Sequence, residues 1–117
     1  MSRAFKILTF QASALVAGAL MMGVVADMAR AAPIAPAVVT IGNFTFNSPA
    51  LTVKAGTTVT WTNADDIPHT VVSKDGLFKS KVLDTGDRFS FTFVKAGQFG
   101  YYCSLHPHMT GIVTVKA

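Results

Sequence analysis

From Val38 to the C-terminus no stretch of the chain keeps a helical period, and this constrains the fold more than any other feature. The chain instead shows short runs rich in Val, Thr, Phe and Tyr, broken by Gly, Asn, Asp and Pro. Thr58-Val59-Thr60-Trp61-Thr62 alternates strictly, which puts Val59 and Trp61 on one inward face. Phe89-Ser90-Phe91-Thr92-Phe93 does the same with three rings, and Phe99, Tyr101 and Cys103 share a face of the run after it. Val38 to Ile41 and Phe44 to Phe46 are strand-like with a bend or bulge at Gly42-Asn43. Leu51 to Val53 alternates, His69-Thr70-Val71-Val72 opens another strand, and Ile112 to Lys116 forms a closing one. Between Leu77 and Arg88 the signal is weak, fitting a loop or a short edge strand. Many short strands at this spacing predict an all-β chain folded as a two-sheet sandwich in a single domain.

The first third is different. Arg3 and Lys6 precede a mostly apolar run from Ile7 to Ala26, and Ala29-Arg30-Ala31 is a small-x-small cleavage pattern. This is the layout of a signal peptide over residues 1–31, with cleavage expected before Ala32 and export to the periplasm. An uncleaved anchor is the competing reading, since the apolar run approaches the length of a membrane span. The leader has no cysteine to acylate. The Pro/Ala-rich residues 32–37 read as a flexible lead-in, and 38–117 as the folded domain. With the leader removed, seven Lys/Arg face five Asp, a balance too mild to suggest nucleic acid.

Cys103 is the only cysteine of the chain, so it forms no intrachain disulfide and cannot build a multi-cysteine zinc site. It lies in Tyr101-Tyr102-Cys103-Ser104-Leu105-His106-Pro107-His108-Met109, which crowds a thiol, two imidazoles and a thioether into one segment. A thiolate, two imidazoles and a weak axial thioether are the donors of a blue-copper electron-transfer centre. Soft sulfur there suits Cu(I), and nitrogen accommodates Cu(II). Cys103, His106 and Met109 supply three of the four. The other imidazole is His69, the only histidine outside the run, which the fold would have to bring across 34 positions. Taken singly, each residue has a plainer reading: His69 as a surface histidine, Cys103 as a buried thiol, Met109 as core filler. Cys-x-x-His-x-x-Met directly after an aromatic strand is far more specific than its parts. Covalent haem would need Cys-x-x-Cys-His, and the adjacent Asp65 and Asp66 read as solvated turn residues rather than a catalytic pair.

These residues resemble the type I copper proteins of the cupredoxin family, and within it the amicyanins. The likeness runs through Pro49-x-Leu51-x-Val53-Lys54-x-Gly56-x-Thr58-Val59-Thr60-Trp61-x-Asn63 and Pro68-His69-x-Val71. It continues in Ala96-Gly97-x-Phe99-x-Tyr101-x-Cys103-x-x-His106-Pro107-x-Met109-x-Gly111. The short gap between His106 and Met109 is the amicyanin-like detail. The resemblance implies an eight-stranded Greek-key sandwich with one copper at one end. His69, Cys103 and His106 would be its equatorial ligands and Met109 its axial one. It also implies an electron port at His106, with a quinoprotein dehydrogenase, a c-type cytochrome or an oxidase docking there. Thr70 departs from the family's usual Asn after the upstream histidine, which changes the brace expected at the ligand loop, and His108 stands where an apolar residue is usual.

Four closed protein ligands leave no position for substrate, so the expected function is one-electron shuttling rather than enzymatic catalysis, by a chain expected to be monomeric. Ile67, Pro68, Pro107 and His108 are the expected apolar docking patch. Two other classes use the same residues: a copper-delivery protein with the same ligands, and a metal-free structural sandwich.

Overall fold

The computed structural model describes residues 33–117, so the expected leader and its cleavage site lie outside the described residues. Eight strands follow one another: β1 (Ala37–Gly42), β2 (Thr45–Asn47), β3 (Ala50–Lys54), β4 (Thr57–Asn63), β5 (Val72–Ser73), β6 (Arg88–Phe93), β7 (Gly97–Tyr102) and β8 (Thr110–Lys116). They form two four-stranded sheets, ordered β2-β1-β4-β6 and β3-β8-β7-β5. Each sheet contains one parallel pair, β1 with β4 and β3 with β8, made between strands distant in sequence. Strand β1 begins one residue earlier than its sequence suggests, because Ala37 already pairs with Val59.

Alternation translates directly into burial. In β4 every second residue from Thr57 to Asn63 is buried, with Val59 and Trp61 fully so. Trp61 lies among Phe78, Phe89, Phe93 and Tyr101, with ring centroids 5.3–6.4 Å apart, in the tilted and edge-on geometries that aromatic quadrupoles favour. Phe89 and Phe91 pack from the rim and Phe93 is buried, so the three rings of β6 do share a face.

Two regions depart from the local reading. The stretch opened by His69 is a strand only at Val72–Ser73, since its earlier residues pair with the weakly patterned segment 77–88 instead. That segment is an anchored edge: Phe78, Ser80 and Leu83 are buried. Val71 N–H donates to Ser80 Oγ at 2.8 Å, and Ser80 N–H donates to the Val71 carbonyl at 2.8 Å. The bend between β1 and β2 falls at Asn43-Phe44, not Gly42-Asn43. It is a two-residue hairpin loop with φ of 51° and 58°, so Phe44 belongs to the turn rather than to the strand.

Candidate metal centre

Strand β7 ends at Tyr102 and delivers Cys103, fully buried, to the end of the sandwich where the loop to β8 begins. Three backbone hydrogen bonds fold that loop on itself. His106 N–H donates to the Cys103 carbonyl (3.2 Å), Met109 N–H to the His106 carbonyl (2.9 Å), and Cys103 N–H to the Met109 carbonyl (3.0 Å). The three-residue spacing thus places Cys103, His106 and Met109 at the corners of one small closed turn. Pro107, with its fixed φ and no N–H, stiffens the turn without removing a bond it needs.

The upstream side of the site is assembled from several segments. His69 is fully buried, and its N–H and carbonyl pair with those of Leu83 at 3.1 and 2.8 Å. Asn63, also fully buried, donates from Nδ2 to the carbonyls of Ile67 and Leu83, both at 2.9 Å, and accepts the Asp65 N–H on Oδ1. One amide therefore ties the end of β4, the loop before His69 and the strand-like edge together. His69 Nε2 sits 2.9 Å from Asp65 Oδ2, which also receives the Phe44 N–H at 3.1 Å. These two contacts, His69 first, hold the Asp65 carboxyl below its ordinary range, so it is an acceptor at neutral pH and fixes the imidazole proton on Nε2. The other nitrogen, Nδ1, keeps its lone pair and faces Cys103 Sγ at 3.7 Å.

The sulfur is dressed by Thr70, whose N–H donates to Sγ at 3.3 Å and whose Oγ1 lies 3.8 Å from it. Ser104 N–H donates to Thr70 Oγ1 at 2.7 Å, and the two hydroxyls meet at 2.7 Å. With Ser104 O–H as donor between them, the Thr70 proton is free to turn toward the sulfur. The departure from the family's amide is thus filled by a pair of hydroxyls, and the link between the two ligand segments survives. Burial opposes ionisation of Cys103. The donors that reach its sulfur, the Thr70 N–H first, outweigh it and set the thiol below its usual value.

The His106 ring is half-buried, 5.1 Å from the His69 ring, and Met109 is buried in the same core cluster as Cys103. The fold therefore brings all four sequence-predicted residues to one end of the sandwich. Among the described residues no three His, Cys, Asp or Glu side chains converge as a ready-made cage. The close contact is between Cys103 and His69, with His106 a ring's width away and the thioether as the remaining donor. A thiol biased toward thiolate beside an imidazole nitrogen with a free lone pair is a donor set that fits copper. Sequence reasoning missed Asp65, Ser104 and Phe44. The Asp65 carboxylate, four residues before His69, was the only available signal, and its turn context masked it.

Residues 35–116 match the family of copper binding proteins described as plastocyanin/azurin. The chain belongs to that family. Copper is the family's cofactor, one per chain. The cupredoxin chain is 36% identical over 84 residues to amicyanin of Paracoccus versutus, covering 68% of itself and 64% of that relative. It is 35% identical over 109 residues to amicyanin-alpha of Methylorubrum extorquens, covering 89% and 87%. It thus spans a little under two thirds of the Paracoccus relative's length and most of the Methylorubrum one's. Among solved structures, a purple cupredoxin from Nitrosopumilus maritimus superposes with a TM-score of 0.65 at 40% identity, covering 68% of this cupredoxin and 99% of that chain.

Proposed function

We propose that the chain is an exported, periplasmic type I copper protein that carries single electrons between redox partners. In this reading His69, Cys103, His106 and Met109 would hold the copper, and the folded domain carries the whole site. The observation that carries it is the buried Cys103 sulfur, met by His69 Nδ1 at 3.7 Å and by the Thr70 N–H at 3.3 Å. Copper, when bound, supplies the Cu(I)/Cu(II) couple. The protein's part is to hold donors acceptable to both states, which the Asp65, Asn63 and Thr70-Ser104 contacts do by fixing ring and sulfur before metal arrives. His106 is the half-buried ligand, so its outer edge is the electron port. An open depression lined by Phe44, Leu105, His106, Pro107, His108 and Met109 surrounds it. Its apolar rim suits brief docking of a partner redox protein, and Phe44 and Leu105 join Pro107 and His108 of the expected patch in forming it. Burial of Cys103, His69 and Met109 favours a retained metal over delivery of it.

The test is loading of the purified protein with Cu(II). One copper per chain and a strong red absorption from thiolate-to-metal charge transfer are expected, and Cys103→Ser loses the absorption. A Cys103→Ser variant that keeps the colour and the metal removes the assignment.

A further inference from the structure

Phe44 is out of place by every local rule. It takes φ of 58° directly after Asn43 at 51°, in a turn whose second position favours glycine. Asn tolerates this conformation through its short polar side chain, but for a bulky residue it is strained. Core packing does not account for it, since Phe44 is 52% exposed.

Two contacts do. The ring meets the His106 imidazole edge-on, with centroids 5.0 Å apart and planes at 85°, and the His69 imidazole at 5.9 Å and 90°. The backbone is fixed at the same point by Asp65 Oδ2, the carboxylate oxygen that also holds His69 Nε2. One carboxylate therefore sets both the imidazole and the residue lying over it. Edge-on aromatic contacts of this kind offset part of that strain. A glycine would take this backbone freely, so the ring is there for what it covers.

The geometry points to Phe44 as an aromatic cover that keeps water and small anions off the His69 and His106 imidazoles, a specificity-determining residue of the site. It rests on the copper reading for its consequence, though the covering itself belongs to the protein. Phe44→Gly removes the ring and relieves the strain together, while Asn43→Gly relieves neighbouring strain and keeps the ring.

The first arm uses metal-free protein and diethyl pyrocarbonate, with modification at each histidine followed by mass spectrometry. In Phe44→Gly, His69 and His106 react about fivefold faster or more than in wild type. Exposed His108 keeps its rate, Asn43→Gly behaves as wild type, and the denaturant midpoint of Phe44→Gly holds. Unchanged rates at His69 and His106 overturn the cover. So does equal acceleration at all three histidines, or a midpoint that falls as for a core truncation, because the ring would then be structural. The second arm titrates azide into the oxidised, copper-loaded proteins by visible absorption and electron paramagnetic resonance. Half-saturation falls about tenfold or more in Phe44→Gly, and an equal response to wild type overturns the proposal. Wild type that takes up no copper counts against the copper reading, and the first arm then decides the cover alone.

Discussion

The two halves of the proposed metal centre are built on opposite plans. The half that carries Cys103, His106 and Met109 is a single seven-residue turn closed by three backbone bonds among those same residues. The half that carries His69 is held from both near and far along the chain. Its backbone leans on Leu83, its ring on Asp65, and its loop on Asn63 at the end of β4. A local turn forms as soon as its ends are joined, whereas the distributed half exists only once both sheets are in register. The contrast predicts that Cys103, His106 and Met109 keep their places under changes in their surroundings better than His69, whose position depends on contacts from several segments.

The strongest way to break this contrast is Asn63→Ala. Asn63 is fully buried and makes three hydrogen bonds, two as donor, so its loss strands the Ile67 carbonyl and the Asp65 N–H and leaves the Leu83 carbonyl with only the His69 N–H. Each buried group left unpaired costs about 1–3 kcal/mol, and loop relaxation recovers part of it, so about 3 kcal/mol of stability should go. Urea unfolding of the metal-free protein measures this. A midpoint matching wild type would show that the loop before His69 stands without the amide, and the two halves would then be alike.

A smaller effect is expected from Thr70→Val, which targets the seam between the halves. The variant keeps the shape and the N–H that reaches Cys103 Sγ, but deprives the part-buried Ser104 N–H of its acceptor. A loss of about 1–2 kcal/mol is expected, with a displaced charge-transfer band in the copper-loaded protein because the sulfur loses its hydroxyl neighbour. Thr70→Asn should keep both the stability and the seam, since an amide also offers acceptor and donor. A Thr70→Val spectrum and midpoint that both match wild type would mean the hydroxyl pair holds nothing.

The same contrast separates what was legible in the sequence from what was not. Strands β4, β6 and β7 follow from alternation, because one face of each is buried and a period of two records that. Cys103, His106 and Met109 were legible together because their spacing is the spacing of the bonds that close the turn. His69 was singled out only as the one histidine outside that run, and its partners carried no pattern that marked them. Asn63 looked like a turn former and Asp65 like a solvated carboxylate, since side chain to backbone bonds across many positions leave no periodic trace. Phe44 continued the alternation of Phe46, and only the captured N–H and the imidazole pair pull it into the turn. The edge 77–88 was weak for the same reason: Phe78, Ser80 and Leu83 anchor it at irregular intervals.

The smallest effect should come from the footing of the local half. Tyr101 pairs with Gly111 across β7 and β8, and a side chain at position 111 would run into the Tyr101 ring, so this glycine is a matter of space. The phenol lies against Trp61 with centroids 5.3 Å apart, yet among the described residues neither Tyr101 Oη nor Trp61 Nε1 has a hydrogen-bond partner. Burial, partly offset by the nearby indole N–H, pushes the Tyr101 phenol above its ordinary value of 10.0. The sign follows from the folded state resisting ionisation: the unfolded chain sheds this proton first, so stability present below about pH 10 is lost as pH rises toward the raised folded value. Tyr101→Phe removes a buried hydroxyl that bonds to nothing, so at pH 7 it should change stability by less than about 1 kcal/mol and in the favourable direction. Between about pH 9 and 11 the wild-type midpoint should fall faster than that of Tyr101→Phe, which lacks the titrating group. Parallel pH curves would assign the alkaline loss to other groups. A clear loss at pH 7 would show that the hydroxyl has a partner, and that the local half depends on its surroundings as the distributed half does.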